Sequence, residues 1–240
     1  MDTKNIGILN RTAKTGAVTG TFISSVFSWM GAGLGITAVV AYMFGTDLSY
    51  FSLLVNETGG MTGLGYIVMF APLVFVLLMS FAFNKLSSTA LLGLYLLYSV
   101  VMGMSLSFIF WAYTMSSVFQ VFAITAGMFG VMALVGYTTN TDLTKFGSIM
   151  MMALIGIIIA SLVNMFMRSG ALDYMISIIG VLVFTGLTAY DVQKLKRIGA
   201  GVEYGTEAAG KLAIMGALTL YLDFINLFLM LLRLFGNRKS

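Results

Sequence analysis

Apolar residues dominate this chain in long runs, and short polar clusters interrupt them. Seven runs are long enough to cross a bilayer as helices, which takes about 20 residues each: residues 22–44, 64–83, 89–113, 118–137, 146–167, 174–191 (or a turn beyond) and 211–235. The third and fourth are parted only by residues 114–117. Alternating strands of the outer-membrane kind are absent. The pattern therefore predicts an all-α integral membrane protein of seven transmembrane helices. Residues 1–21 are expected to form an N-terminal cytoplasmic tail, 22–236 the seven-helix domain, and 237–240 a short C-terminal tail. The last run is apolar on nearly every face, as suits a helix surrounded by the others.

Composition agrees. The chain is 59% hydrophobic and 9% charged, with a mean hydropathy of +0.98, whereas soluble domains are about 25% charged. Cys and His are both absent, which excludes disulfides, thiolate catalysis and the usual zinc sites. No enzymatic activity and no cofactor are expected. The formal net charge of +4 is scattered over short loops and does not imply nucleic acid. Nine basic residues (Lys4, Arg11, Lys14, Lys85, Lys145, Lys194, Lys196, Arg197 and Lys211) fall on one side of seven spans, and four (Arg168, Arg233, Arg238 and Lys239) on the other. The bias places the N-terminus inside and the C-terminus outside. The basic C-terminus pulls the other way, so six spans plus a re-entrant last segment is the alternative.

Smaller features follow from the same pattern. Gly31 and Gly35 are spaced for close helix approach, and Pro72 inside the second run predicts a kink. The 19 Met residues are dispersed, as in pliable packing. Residues 59–65 are rich in glycine but lack the Lys-Ser/Thr ending of a phosphate loop and read as a flexible outer loop.

Two acids break the rule of the membrane. Asp223 lies in the middle of the last run and Asp191 near the end of the sixth. An acid at the bilayer centre costs at least ~2.5–3.5 kcal/mol and marks a functional site by default. Thr219, Asp223, Asn226 and Met230, spaced by three or four, share one helix face, and Thr188 shares a face with Asp191. Lys194, Lys196 and Arg197 mark the membrane boundary, so Asp191 is the shallower acid. Tilt or a helix break is then needed for the two to meet. If they meet, both cannot ionise cheaply, and the pair shares a proton and titrates as a unit. It would release that proton on alkalinisation or to an arriving cation, and calcium favours such hard oxygen ligands. Alternatively, each acid is bonded separately to a helix end, a Tyr or a Lys. Asn164 is read as an interhelical hydrogen-bond group or pathway lining, Lys85 as a solvated anchor or a partner of one acid. Asp142 and Lys145 are read as solvated loop residues.

Two blocks resemble the Bax inhibitor-1 (transmembrane Bax inhibitor motif) family: Phe184-Thr-Gly-Leu-Thr-Ala-Tyr-Asp-Val-Gln-Lys-Leu-Lys196, and Ala217-Leu-Thr-Leu-Tyr-Leu-Asp-Phe-Ile-Asn-Leu-Phe228 followed by Leu231-Leu-Arg233. Weaker matches lie at residues 98–110 and at Gly136-Tyr-Thr-Thr-Asn-Thr-Asp-Leu143. The likeness spans about residues 22–236 and is nearest to bacterial members. It implies seven helices with the last at the centre, and a pH-sensitive calcium leak across a bacterial inner membrane. In that picture Asp191 and Asp223 form the hydrogen-bonded pair that senses pH, gates the path and meets calcium transiently. Thr188, Thr219, Asn226 and Asn164 are the candidate lining. A basic residue of the second span latches one acid; here only Lys85 is available, and Lys cannot make the bidentate pair that Arg makes. The resemblance also implies a possible partner, a membrane-anchored quality-control protease, so the alternative function is an interaction protein that modulates such a protease. A proton-coupled exchanger would often show an internal repeat, and none is visible.

Overall fold

A computed structural model describes residues 3–203 and 205–239, with side chains described from residue 19 onward. It is all-helical: α1 (Thr3–Thr46), α2 (Leu48–Phe51), α3 (Gly63–Ala82), α4 (Ser88–Leu106), α5 (Ile109–Ala112), α6 (Met115–Thr138), α7 (Thr144–Met167), α8 (Gly170–Gly201) and α9 (Glu207–Phe235). Seven segments among the described residues have the length and hydropathy to span: Thr19–Thr46, Gly63–Ala82, Ser88–Ala112, Met115–Thr138, Thr144–Met167, Gly170–Gly201 and Glu207–Phe235. Helix starts carry the expected caps. Thr62, Ser87, Ser169 and Thr206 each accept a hydrogen bond from the amide three residues on.

The structure departs from the pattern in four places. The sixth span is 32 residues long and continues ten residues past Asp191, to Gly201. Its basic residues lie on the helix, where Lys196 bonds the end of α6 and Arg197 the loop after it. The third span turns at Ser107, whose amide and hydroxyl both bond back to Met104 O, so α4 and α5 are separate helices. The glycine-rich segment is ordered. Asn56 N bonds Gly60 O at 2.7 Å, and Gly65 packs on the Leu54 carbonyl with no room for a side chain. Finally, Gly31 and Gly35 are exposed with open space around them. The close approach on α1 is made by Gly33, against the Tyr95 and Ser99 side chains. At Pro72, α3 continues as one helix.

α9 packs against α1, α4, α6 and α8 and is the most enclosed span, with 72% of its apolar window buried against 11% for α7. α3 packs on α4, and α7 on α8, but α3 and α7 do not form a packed pair. Large apolar side chains on α3 and α7, Leu73, Ile158 and Leu162 among them, are more than half exposed. On a soluble protein such surface would be an anomaly; here it faces lipid.

The chain's two ends lie on opposite faces of the bundle. After α9, Thr114 N bonds Asn237 O, Lys239 N bonds Ala112 O, and Asn237 N bonds Ser117 Oγ. The tail is thus tied to the α5–α6 connection. Lys239 Nζ caps Phe110 O at 2.7 Å, and Arg233 pairs with Asp173 at 3.4 Å. Arg233 and Lys239 have local partners on that face, which accounts for basic residues at this end of a seventh span.

A buried acid pair in a cavity open between two helices

The α8–α9 hairpin positions the two acids. Leu195 lies against Gly216, and Met230 against Gly180, so these antiparallel helices run in register over their length. By that register Asp191 is level with residue 220, three short of Asp223, an axial gap of about 4.5 Å at 1.5 Å per residue. Helical side chains lean toward their own N-terminus. α8 and α9 run in opposite directions, so Asp191 and Asp223 lean toward each other and close that gap. The two carboxyl groups lie within hydrogen-bonding reach. No tilt or break is needed. Ionised carboxylates only accept, so a bond between the two requires that one carry a proton.

Both acids are 6% exposed, and Asp223 Oδ2 has no hydrogen-bond partner among the described residues. They form part of the wall of a cavity of about 790 Å³ lined by α3, α4, α7, α8 and α9. From α9 the wall takes Thr219, Leu222, Asp223, Asn226 and Met230, the face that the spacing of three and four predicts. From α4 comes Tyr98, fully buried, whose hydroxyl also lacks a partner among the described residues. α3 contributes Pro72, Leu73 and Val76. Because α3 and α7 do not pack together, the cavity opens sideways between them.

The other candidates are placed differently. Thr188 is fully buried and donates to Phe184 O within its own helix, outside the cavity wall. Asn164 accepts from Ser169 N at 3.0 Å at the end of α7, with no interhelical bond among the described residues and no place in the wall. Lys85 is exposed in the turn after α3 and makes no ion pair among the described residues, so no latch is engaged. Lys194 lies three residues on from Asp191 along α8 and makes no ion pair among the described residues. No group of three or more acidic, His or Cys side chains gathers for a metal among the described residues.

Sequence reasoning missed two networks. Behind Asp223, Tyr221 on the opposite side of α9 bonds Thr37 Oγ1 at 2.7 Å, and Thr37 donates to Ser99 O at 2.8 Å. Thr37 has one hydrogen, so Tyr221 is the donor to it. Tyr95 and Tyr98 both stand edge-on to the Tyr221 ring. The Tyr95, Tyr98 and Ser99 spacing in the third run is the signal that carried this. The second network is on the back of α8. Gln193 holds Thr141 O and Leu143 N, Lys196 donates to Tyr137 O at 2.6 Å, and Arg197 reaches Asp142 at 2.6 Å and Thr144 at 3.0 Å. Asp142 is therefore ion-paired, contrary to its reading as merely solvated. Hydrogen bonds from Thr144 and then from Arg197 hold its carboxyl well below the usual range.

A seven-span helical membrane protein with a carboxyl pair buried between its last two helices is the class that this geometry defines. The sequence profile described as inhibitor of apoptosis-promoting Bax1 matches residues 19–240, and the chain belongs to the Bax inhibitor-1 family. It is similar to the inner membrane protein YbhL of Escherichia coli, 48% identical over 220 residues that cover 91% of this chain and 92% of that one. An uncharacterized protein of Borreliella burgdorferi is 47% identical, with 91% and 93% covered. One of Deinococcus radiodurans is 39% identical, with 92% and 91% covered. The block from Phe184 to Lys196 serves two faces of one helix: Asp191 looks into the cavity, while Lys196 holds the end of α6 and Gln193 the loop after it.

Proposed function

We propose that the protein is a pH-sensitive calcium leak pathway of the bacterial inner membrane, gated by the Asp191–Asp223 pair, and not an enzyme. The observation that carries this is the pair itself: two carboxyl groups, buried and within bonding reach, with Asp223 Oδ2 unpartnered at a cavity of about 790 Å³. Such a pair holds a shared proton or, once it is lost, a doubly anionic site that attracts a cation. Calcium takes six to eight oxygens. Two carboxylates with Asn226 and Thr219 nearby make an incomplete cage, which suits passage better than storage. The name of the Escherichia coli relative supports an inner-membrane location, and the bias of basic residues supports a cytoplasmic N-terminus.

The test is calcium flux into liposomes holding the purified protein, from pH 5 to 8, for the wild type, Asp191→Asn and Asp223→Asn. The reading requires a pH-dependent flux that either substitution flattens. Flux no greater than in empty liposomes, with folded protein at every pH, sinks it and favours a role as partner of a membrane-anchored protease.

A further inference from the structure

The cavity has a polar floor, apolar walls and a mouth toward lipid, and the only charged groups in its lining are the two acids. Thr219 Oγ1 donates to Met215 O and Asn226 Nδ2 to Leu222 O. Thr219 is left with oxygen lone pairs only, and Asn226 with its carbonyl oxygen and one amide hydrogen. Asp223 Oδ2 and the Tyr98 hydroxyl are buried without partners among the described residues, and no Lys or Arg stands in the wall. The seat thus offers acceptors and negative charge. It fits a guest that brings N–H donors and positive charge, and it holds no cation to pair with the phosphate of a zwitterionic lipid. Above it, Leu73, Val76, Leu154, Ile158 and Leu162 line the way out between α3 and α7. The volume is in the range of sites for drug-sized ligands.

We propose that this cavity binds a single-chain lipophilic ammonium, its N–H groups on Asp191, Asp223 and Tyr98 and its chain leaving between α3 and α7 into the bilayer. The inference deepens the reading of the pair as a cation-handling group and rests on it. The guest reaches the pair from the membrane and not from water.

The experiment is thermal unfolding of the purified full chain in a non-ionic detergent at pH 7. It is titrated with dodecylammonium, with dodecanol as the same chain without charge, and with butylammonium as the same head without the chain. Dodecylammonium should raise Tm by several degrees and saturate, while the other two leave it in place. Asp223→Asn should lose most of that shift. Leu154→Trp, which fills the mouth from α7 and leaves the acids alone, should lose it as well, so the idea stays testable if the acid variant does not fold. An equal shift with dodecanol, no shift at all, or a shift that survives both substitutions overturns the proposal. The readout is independent of flux: a specific shift without calcium flux removes the leak and keeps the site, and flux without the shift does the reverse.

Discussion

At the scale of single residues, what surrounds a helical glycine decides what it is for. A methyl group on Gly136 would lie 2.8 Å from backbone atoms of Ala189, closer still to its carbonyl oxygen, and backbone cannot step aside. Gly136→Ala should destabilise the protein by about 1–3 kcal/mol, the usual cost of overpacking. Gly31→Ala meets nothing within 4 Å and should be neutral or stabilise by up to about 1 kcal/mol through helix propensity. Thermal unfolding of both variants in one detergent ranks them, and equal effects would remove the distinction. Tyr221 offers a finer test. Its hydroxyl donates to Thr37 Oγ1, so Tyr221→Phe should cost about 0.5–1.5 kcal/mol, the net worth of one hydrogen bond. The ring contacts with Tyr95 and Tyr98 would remain.

At the scale of elements, α8 does two jobs on opposite faces, and the sequence showed only one of them. The stripe on α9 was legible because helical periodicity alone sorts Thr219, Asp223, Asn226 and Met230 onto one face. That Asp191 meets Asp223 was implied by the family resemblance but not legible from periodicity, because its depth was counted from a membrane boundary at Lys194. α8 in fact continues to Gly201, and Gln193, Lys196 and Arg197 bind the end of α6 and the α6–α7 loop. Nothing in a single sequence says which loop a helix-borne cation will find. The clamp has a pH signature. Asp142 titrates below its ordinary value of 3.8 in the folded protein, so its contribution is fully present above about pH 4 and is lost as pH falls through the depressed folded value. Asp142→Asn should therefore be less stable than the wild type near neutrality, with the difference shrinking below pH 4. Both partners are exposed, so the effect is small and screened by salt. Unfolding midpoints of the two proteins from pH 2.5 to 7 measure it, and a gap that widens on acidification would contradict the assignment.

At the scale of the whole molecule, the number of crossings fixes where the two ends lie. Seven crossings place them on opposite faces, while six with a re-entrant seventh would return the C-terminus to the face of the N-terminus. α9 carries its chain across 29 residues, about 44 Å of helix at 1.5 Å per residue. That exceeds a hydrocarbon core of about 30 Å. Its far end is held by the Tyr113–Arg238 bridge, by Lys239 on Phe110 O and by Asn237 on Ser117. The same face carries the α1–α3 connection, where Phe51 stacks on Trp111 at 4.3 Å. A C-terminal reporter that is active only outside the cytoplasm should therefore work on the full chain. The same reporter placed after Gly201, in the α8–α9 connection, should be silent. Activity in both fusions, or in neither, would mean that α9 does not cross. If the geometry holds, the order of the two signals also fixes the absolute orientation, because the hairpin and the tail lie on opposite faces whichever way the bundle is inserted. An inverted pattern would leave the fold intact and turn the nine-to-four bias of basic residues against the positive-inside rule.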